Sequence, residues 1–437
     1  MIATGPDFPH GEAASETSGL ADPIRQLDSH GKLVSQAEQG ELDTELTLDA
    51  IIVPASRPAN NLEQAITLAR AMGCALLILC SRRVQPAEVR QLLRRRSFDD
   101  AIVVNLPDKY RHELLEFSAL DSIKDRLPEA CSFYVTDLST KRNVGLLLAR
   151  MLGWQRIFFL DDDIRDVRDL DLQNTVSMLG LFPAAGMRVS NFPDNSVACH
   201  AHRMTGGLQD VFIGGAALAV DCHKSTGFFP DMYNEDWLFF YDAVAYERLG
   251  TSGRKVTQLL YDPFADPQRA AWQEFGDVLA EGLYALLEYG QDWRYATDGY
   301  WDQFLDARRR FLEAIVRRAG AANPAIRERL VLSAELALKC SYAIGPGLLE
   351  RYVLLWRQDL RQWRERIAGV GEMPLEAALK ELGLAEPPDS RVSDFAPDMA
   401  TEATEGPPTV PFTAHDYYTL FMPGAHDECL RTPVARR

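Results

Sequence analysis

The chain has 437 residues, room for two or three domains and a substantial buried core, and its 46% hydrophobic and 25% charged content is that of an ordinary globular protein. Its 63 acidic residues against 46 basic ones leave a formal charge of -17, which repels a phosphate backbone and excludes a global nucleic-acid footprint. The seven cysteines are scattered without a Cys-x-x-Cys pair, indicating neither a disulfide framework nor structural zinc, and no apolar run approaches the roughly 20 residues that cross a bilayer; a cytoplasmic setting without a membrane span is expected.

In chain order, residues 1 to about 45 are rich in Gly, Ser, Ala and acids without periodicity and read as a flexible leader. "LDAIIVPAS" (48–56) predicts a buried strand, Asn61 to Met72 a helix, and "ALLILC" (75–80) a second strand. Pro86 opens a helix to about Arg96, with a basic surface cluster at Arg90, Arg94, Arg95 and Arg96, and "AIVVN" (101–105) is a third strand. Asn143 to Leu152 predicts a helix leading through Gly153 into the strand "RIFFL". Strands alternating with helices in this way predict an α/β fold with a mostly parallel sheet flanked by helices, spanning residues 46–262. "CHAHRM" reads as extended, so that His200 and His202 would share a face. From 263 to 372 four segments with apolar stripes at 3.6-residue spacing predict a helical C-terminal domain. The remainder, 373–437, is a Pro-rich acidic tail in which the aromatic "HDYYTLFMPG" (415–424) is expected to dock onto the body or a partner.

Four places carry chemistry. "RIFFL" ends in Asp161, Asp162 and Asp163, three carboxylates that repel unless a cation sits among them. Alternate strand positions put Asp161 and Asp163 on one side and Asp162 on the other, which suits a hard divalent ion, Mg²⁺ or Mn²⁺; an acidic loop continuing through Asp169 and Asp171 and capping a helix is the plainer reading. In "YNEDWLFF", Asn234 is an expected N-cap and Glu235 and Asp236 fall in the first turn, among aromatic residues that would desolvate a carboxylate and raise its basicity. Gly214 and Gly215, beside the strand of "FIGGAALAV", suit a close approach of backbone to ligand. Lys141 and Arg142, with Asn143, stand at a helix entrance that favours anions, although surface decoration explains them as well; Ser56 and Arg57 end the first strand, where a nucleotide is commonly met.

The order "VPASRP", "KRNVGLLLAR", "FFLDDD", "GGA", "NED" over residues 48 to 262 resembles the GT-A-fold glycosyltransferases, especially family 2 and its relatives. The resemblance implies a nucleoside-diphosphate sugar donor and a hydroxyl acceptor, with Asp161 near ribose and metal, Asp163 on the metal, and Asp162 in the nucleotide-sugar site. It also implies Asp236 as general base, Glu235 orienting it or the acceptor, and Arg142 or Lys141 helping the metal stabilise the leaving diphosphate. The family often adds a histidine ligand after the acidic pair; no histidine lies between His223 and His415, leaving His200 and His202 as geometrically possible ligands or a hydrogen-bonded pair. Two other readings stay open. A nucleotidyltransferase would want a glycine-rich loop after the first strand, and "VPASRPANN" has no glycine. A non-catalytic nucleotide-sugar-binding module would keep the fold without the chemistry.

Overall fold

The computed structural model describes residues 24–37, 42–127, 131, 136–191, 196–246 and 248–385. The aromatic segment 415–424 lies outside them. Strand β1 (Ala50–Ala55) leads to helix α1 (Glu63–Met72), β2 (Ala75–Cys80), α2 (Pro86–Arg95), β3 (Ala101–Asn105) and α3 (Ser118–Lys124). Helix α4 (Leu138–Met151) precedes β4 (Arg156–Leu160), β5 (Ile164–Arg165), α5 (Asp169–Ser177), β6 (Ala184–Val189), α6 (Val197–Met204) and β7 (Ala217–Asp221). Two short helices, α7 (Glu235–Phe239) and α8 (Tyr241–Ala245), lead into β8 (Leu249–Gln258). Five helices follow: α9 (Gln268–Glu288), α10 (Asp298–Arg318), α11 (Pro324–Ala343), α12 (Pro346–Gly369) and α13 (Leu375–Glu381).

The eight strands form one sheet in the order β3-β2-β1-β4-β7-β6-β8-β5. The half containing β3, β2, β1 and β4 is parallel, in register Ala50 to Ala75, Leu76 to Ala101 and Ala50 to Ile157. Beyond it the sheet is mixed: β7 runs antiparallel to both β4 and β6, β8 is parallel to β6, and β5 is antiparallel to β8. This corrects the expectation of a mostly parallel sheet. Strand β7, "ALAVD", is buried throughout, and a strand covered on both faces shows an unbroken apolar run whichever way it points.

Side chains of β1 alternate between two cores. Ile51 and Val53 pack with Leu76, Ile78, Phe158 and the helices α1, α2 and α5, whereas Ile52 joins Leu77, Phe159, α4 and the C-terminal helices. Helix α4 is buried along nearly its whole length and sits so close to the sheet that a Cβ on Gly145 would lie 3.0 Å from Ile52 and 3.4 Å from Phe159. Trp301, Trp356 and Trp363 belong to the same cluster as Ile52 and Phe159, so the helical layer and the sheet share one core. Residues 24–37, inside the stretch read from sequence as a leader, contribute buried Ile24 and Leu33, and Ser35 bridges to β8 through Leu249 and Thr251 at 2.9 Å each.

Two further differences from the sequence reading bear on the site. "CHAHRM" is helix α6, capped by the Ser196 hydroxyl accepting from the Cys199 amide at 3.2 Å. On a helix, positions two apart diverge, and His200 meets Tyr261 whereas His202 packs on Phe311 and lies 3.3 Å from Arg318. Cys131 is joined to Cys340, 209 residues away, with Cα atoms 5.4 Å apart, a pairing that sequence spacing could not single out.

The shared core predicts a specific loss. The Trp363 indole is 1% exposed, packs at a tilt against Phe117 and Phe228, and donates to the Gly227 carbonyl at 2.9 Å. Trp363→Ala is expected to cost about 3–5 kcal/mol and to lower a single denaturant transition as a whole. A separate early transition, with the sheet's own unchanged, would contradict a common core.

Candidate functional site

The carboxyl ends of β1, β2 and β4 open on one side of the sheet, into a cavity of about 930 Å³. Its walls carry Ser56, Arg57, Arg82, Lys141, Arg142, Asp161 to Asp163, Gly214, Glu235 and Asp236, with Trp237, Tyr261, Trp272, Asp277 and Glu281 on the side formed by α7 and α9.

The three aspartates do not divide as simple strand alternation suggests, because β4 ends at Leu160 and the triplet turns over. Asp162 folds back to the first strand: one of its oxygens accepts from the backbone amides of Ser56 at 2.7 Å and Arg57 at 2.8 Å, and the other meets the Arg57 guanidinium. That guanidinium also reaches Asp163 at 2.8 Å, and Gln258 donates to the same Asp163 oxygen at 3.2 Å. Asp161 faces Arg142 instead, with both oxygens 3.0 Å from Nη2. Burial raises the proton affinity of the Asp163 carboxyl, and Arg57 opposes that rise.

Arg142 is 2% exposed and spans the site, its other terminal nitrogen lying 2.5 Å from Glu235. Burial by itself would lower its pKa, but Asp161 and Glu235 outweigh burial and keep the guanidinium charged. Gly215 allows this placement, since a Cβ there would lie 2.7 Å from Nη1. The Gly215 amide donates to Asp236 at 2.6 Å, and the Trp237 amide donates to the other Asp236 oxygen at 2.9 Å. Burial pushes both Glu235 and Asp236 up, with Arg142 pulling the other way.

Lys141 and Arg142 are therefore not surface decoration; both are buried and line the cavity. Helix α4 starts at Leu138, earlier than its sequence suggests, which sets both residues inside the first turns and fully buried. Lys141 donates to the Ala55 carbonyl at 2.7 Å and pairs with Asp137 at 3.5 Å. Asn143 exchanges two hydrogen bonds with the Phe229 backbone, at 2.7 and 2.8 Å, and does not line the cavity. Asn234 adopts a left-handed backbone (φ 61°) and gives no side-chain cap to α7; its amide lies 3.3 Å from Asp277.

Several wall residues escaped the sequence reading. Arg82 follows β2 as Arg57 follows β1, so the strand-end rule applied to every parallel strand would have found it. Asp277 and Glu281 are acids four apart in the otherwise apolar run "FGDVLAEGLYALL", and buried acids on an apolar helix face are informative. Asp277 meets Ser196 at 2.7 Å and Arg308 at 2.5 Å, and Arg308 also holds Glu274 at 2.7 Å. Glu281 is 2.9 Å from His30 of the N-terminal segment. Cys199, Asp277 and Glu281 have ligand atoms within 4.8 Å of one another. The donors already on Asp277 account for that grouping without an ion.

No family model and no curated protein matches the chain. Among solved structures it is similar to a mannosyltransferase, PcManGT from Pyrobaculum calidifontis, in complex with GDP-Man and Mn²⁺, at 13% identity and a TM-score of 0.34, over 81% of this chain and 91% of that one. A superposition that loose leaves the reading of the site to its own residues. No helix among the described residues is long and apolar enough to cross a membrane.

Two outcomes are expected. Arg142→Met leaves Asp161 and Glu235 buried without their cation and should cost about 3–5 kcal/mol in urea unfolding; a loss under about 1 kcal/mol would remove Arg142 as the strut of the site. His200 is fully buried and its pKa is driven down to about 3, by burial first and then by Arg203 and Arg269. The unfolded chain takes up a proton near pH 6.5 that the folded chain refuses, so this contribution to stability is present above that pH and is lost as pH falls toward 3. His200→Gln should remove a slope of about 1.4 kcal/mol per pH unit from wild-type stability measured between pH 4 and 6. An unchanged slope would contradict a neutral buried imidazole.

Proposed function

We propose that the chain is a glycosyltransferase of GT-A type that moves a sugar from a nucleoside diphosphate to a hydroxyl acceptor. The observation that carries this reading is the meeting of the β4 aspartates and the Glu235–Asp236 pair across one cavity, joined by Arg142.

The residues fit a divalent cation such as Mg²⁺ or Mn²⁺. Among the acids on the cavity wall are Asp161, Asp162, Asp163, Glu235 and Asp236, and among the described residues direct ion pairs reach these five from only two guanidinium groups, Arg57 and Arg142. Burial raises Asp163, Glu235 and Asp236, neighbouring carboxylates add to the rise, and Arg57 or Arg142 opposes it. Asp162 is committed to two amides, so Asp161 and Asp163 are the residues that would hold the ion. When bound, the ion offsets charge gathering on the leaving diphosphate.

The remaining roles fall to the chain. Arg57 and Arg82, with side chains 44% and 39% exposed, are cations on the cavity wall suited to phosphate oxygens. Asp236 is held by the two amides of Gly215 and Trp237, and its burial strengthens it as a base toward an acceptor hydroxyl. Glu235 stays locked to Arg142 and fixes the turn that presents Asp236. Trp237, Tyr261 and Trp272 supply apolar walls that limit water around the reacting atoms. A nucleotidyltransferase is disfavoured by the amides after β1: Ser56 and Arg57 donate to Asp162 and are not a vacant phosphate cradle.

The test is a thermal-shift series with UDP, GDP, ADP, TDP and CMP, each with Mn²⁺, Mg²⁺ or chelator. One nucleotide at ~100 times its dissociation constant should add about 2.7 kcal/mol of stability, dependent on the divalent ion and lost in Asp163→Asn. Asp236→Asn should keep that binding and lose about 10²- to 10⁴-fold in transfer rate with the matching sugar nucleotide. Binding with no turnover in either protein would favour the non-catalytic module, and no stabilisation by any nucleotide would refute the transferase reading.

A further inference from the structure

Resting on that reading of the donor site, we infer that Arg57 is the displaceable counter-cation of the nucleotide-free site, and that it keeps a divalent ion off Asp163 until a diphosphate draws the guanidinium away. The ion then enters with the diphosphate and not before it.

Exposure and existing commitments distinguish Arg57 from Arg142 and Arg165 nearby. Its side chain is 44% exposed, whereas that of Arg142 is 2% exposed and fixed between two carboxylates. Arg165, the other neighbour, spends one terminal nitrogen on the carbonyls of Asp162 and Ile164 and the second on Asn61, at 2.5 to 3.0 Å. Arg57 is thus the half-exposed cation resting directly on a proposed ion ligand.

The contacts it would leave behind remain supported. Asp162 keeps the Ser56 and Arg57 amides, which do not move with the side chain, and Asp163 keeps the Gln258 amide at 3.2 Å. Departure of the guanidinium therefore takes the donor from only one carboxylate oxygen, the second oxygen of Asp162, and restores the mutual repulsion of Asp161, Asp162 and Asp163. A divalent ion relieves that repulsion better than a single positive charge, and a diphosphate offers the planar guanidinium a bidentate acceptor in exchange. Without the diphosphate, the ion has to displace Arg57 with only water, and no anion, to receive it. Cation and nucleotide are coupled through one side chain, and by linkage each raises the affinity of the other.

The experiment uses the full chain and reads bound Mn²⁺ by electron paramagnetic resonance, with no nucleotide and with each nucleoside diphosphate in turn. The variants are Arg57→Gln, Arg57→Lys and the double variant Arg57→Gln with Asp163→Asn, each verified as folded by its thermal midpoint. Wild type and Arg57→Lys are expected to take up Mn²⁺ alone only weakly and to gain affinity with the right diphosphate. Arg57→Gln should bind Mn²⁺ alone at least about tenfold more tightly than wild type, and the double variant should lose the gain. Arg57→Gln binding Mn²⁺ alone no better than wild type, while wild type still takes it up with diphosphate, would overturn the latch and leave the donor-site reading intact. So would wild type binding Mn²⁺ equally well with and without nucleotide. Absence of Mn²⁺ uptake under every condition would overturn the donor-site reading and the latch together.

Discussion

Arg142 lies 2% exposed between Asp161 at 3.0 Å and Glu235 at 2.5 Å, and the layout of the site follows from keeping that buried charge paired. A guanidinium taken out of water needs acceptors on both of its terminal nitrogens, and each partner comes from a different part of the fold. Helix α4 supplies the arginine, the end of β4 supplies Asp161, and the turn into α7 supplies Glu235. Gly215 leaves the space in which they meet, and its amide is then spent on Asp236. One ion-paired strut thus positions both acidic motifs relative to each other.

The sheet's change of direction makes this possible. Because β7 runs antiparallel to β4, with Leu160 opposite Ala217, the loop entering β7 lies beside the loop leaving β4, and the Asp161 amide donates to the Ala216 carbonyl at 2.9 Å. A parallel β7 would begin at the far edge of the sheet and carry its glycines away from the aspartates. The opposite wall depends on α9. There a second buried arginine, Arg308, holds Glu274 and Asp277, and Asp277 in turn contacts Ser196 and Asn234, next to the acidic pair. The C-terminal helices are therefore part of the cavity as well as of the core.

Much of the fold was legible in local pattern. The β-branched and apolar runs at 50–55, 75–80, 101–105 and 156–160 are strands, and the four long apolar stripes after residue 262 are helices, because burial imposes its period on the sequence. Strands β6 and β8 were not legible: "AAGMRV" and "LGTSGRKVTQ" mix small, glycine and charged residues, and their pairing comes from neighbours distant in the chain. "CHAHRM" is too short for its period to separate a helix from an extended segment. The Asp triplet and the Glu235–Asp236 pair stood out as acids flanked by apolar residues. Lys141 and Arg142 misled, since two adjacent cations look exposed until a helix carries both into the interior.

By itself the sequence determined which segments would be buried, where three carboxylates would emerge from a strand, and that such a cluster requires positive charge. Those are consequences of local spacing, solvation and like-charge repulsion, and they hold whatever the tertiary arrangement. Which positive charge answers them was decided only by the fold. Arg57 and Arg142 stand 106 and 19 residues from the carboxylates they contact at Asp163 and Asp161, and only packing of β1, α4 and β4 side by side brings them within hydrogen-bonding distance. Electrostatic neutralisation acts through space and not along the chain, so its need is written in sequence and its partners are chosen by tertiary structure.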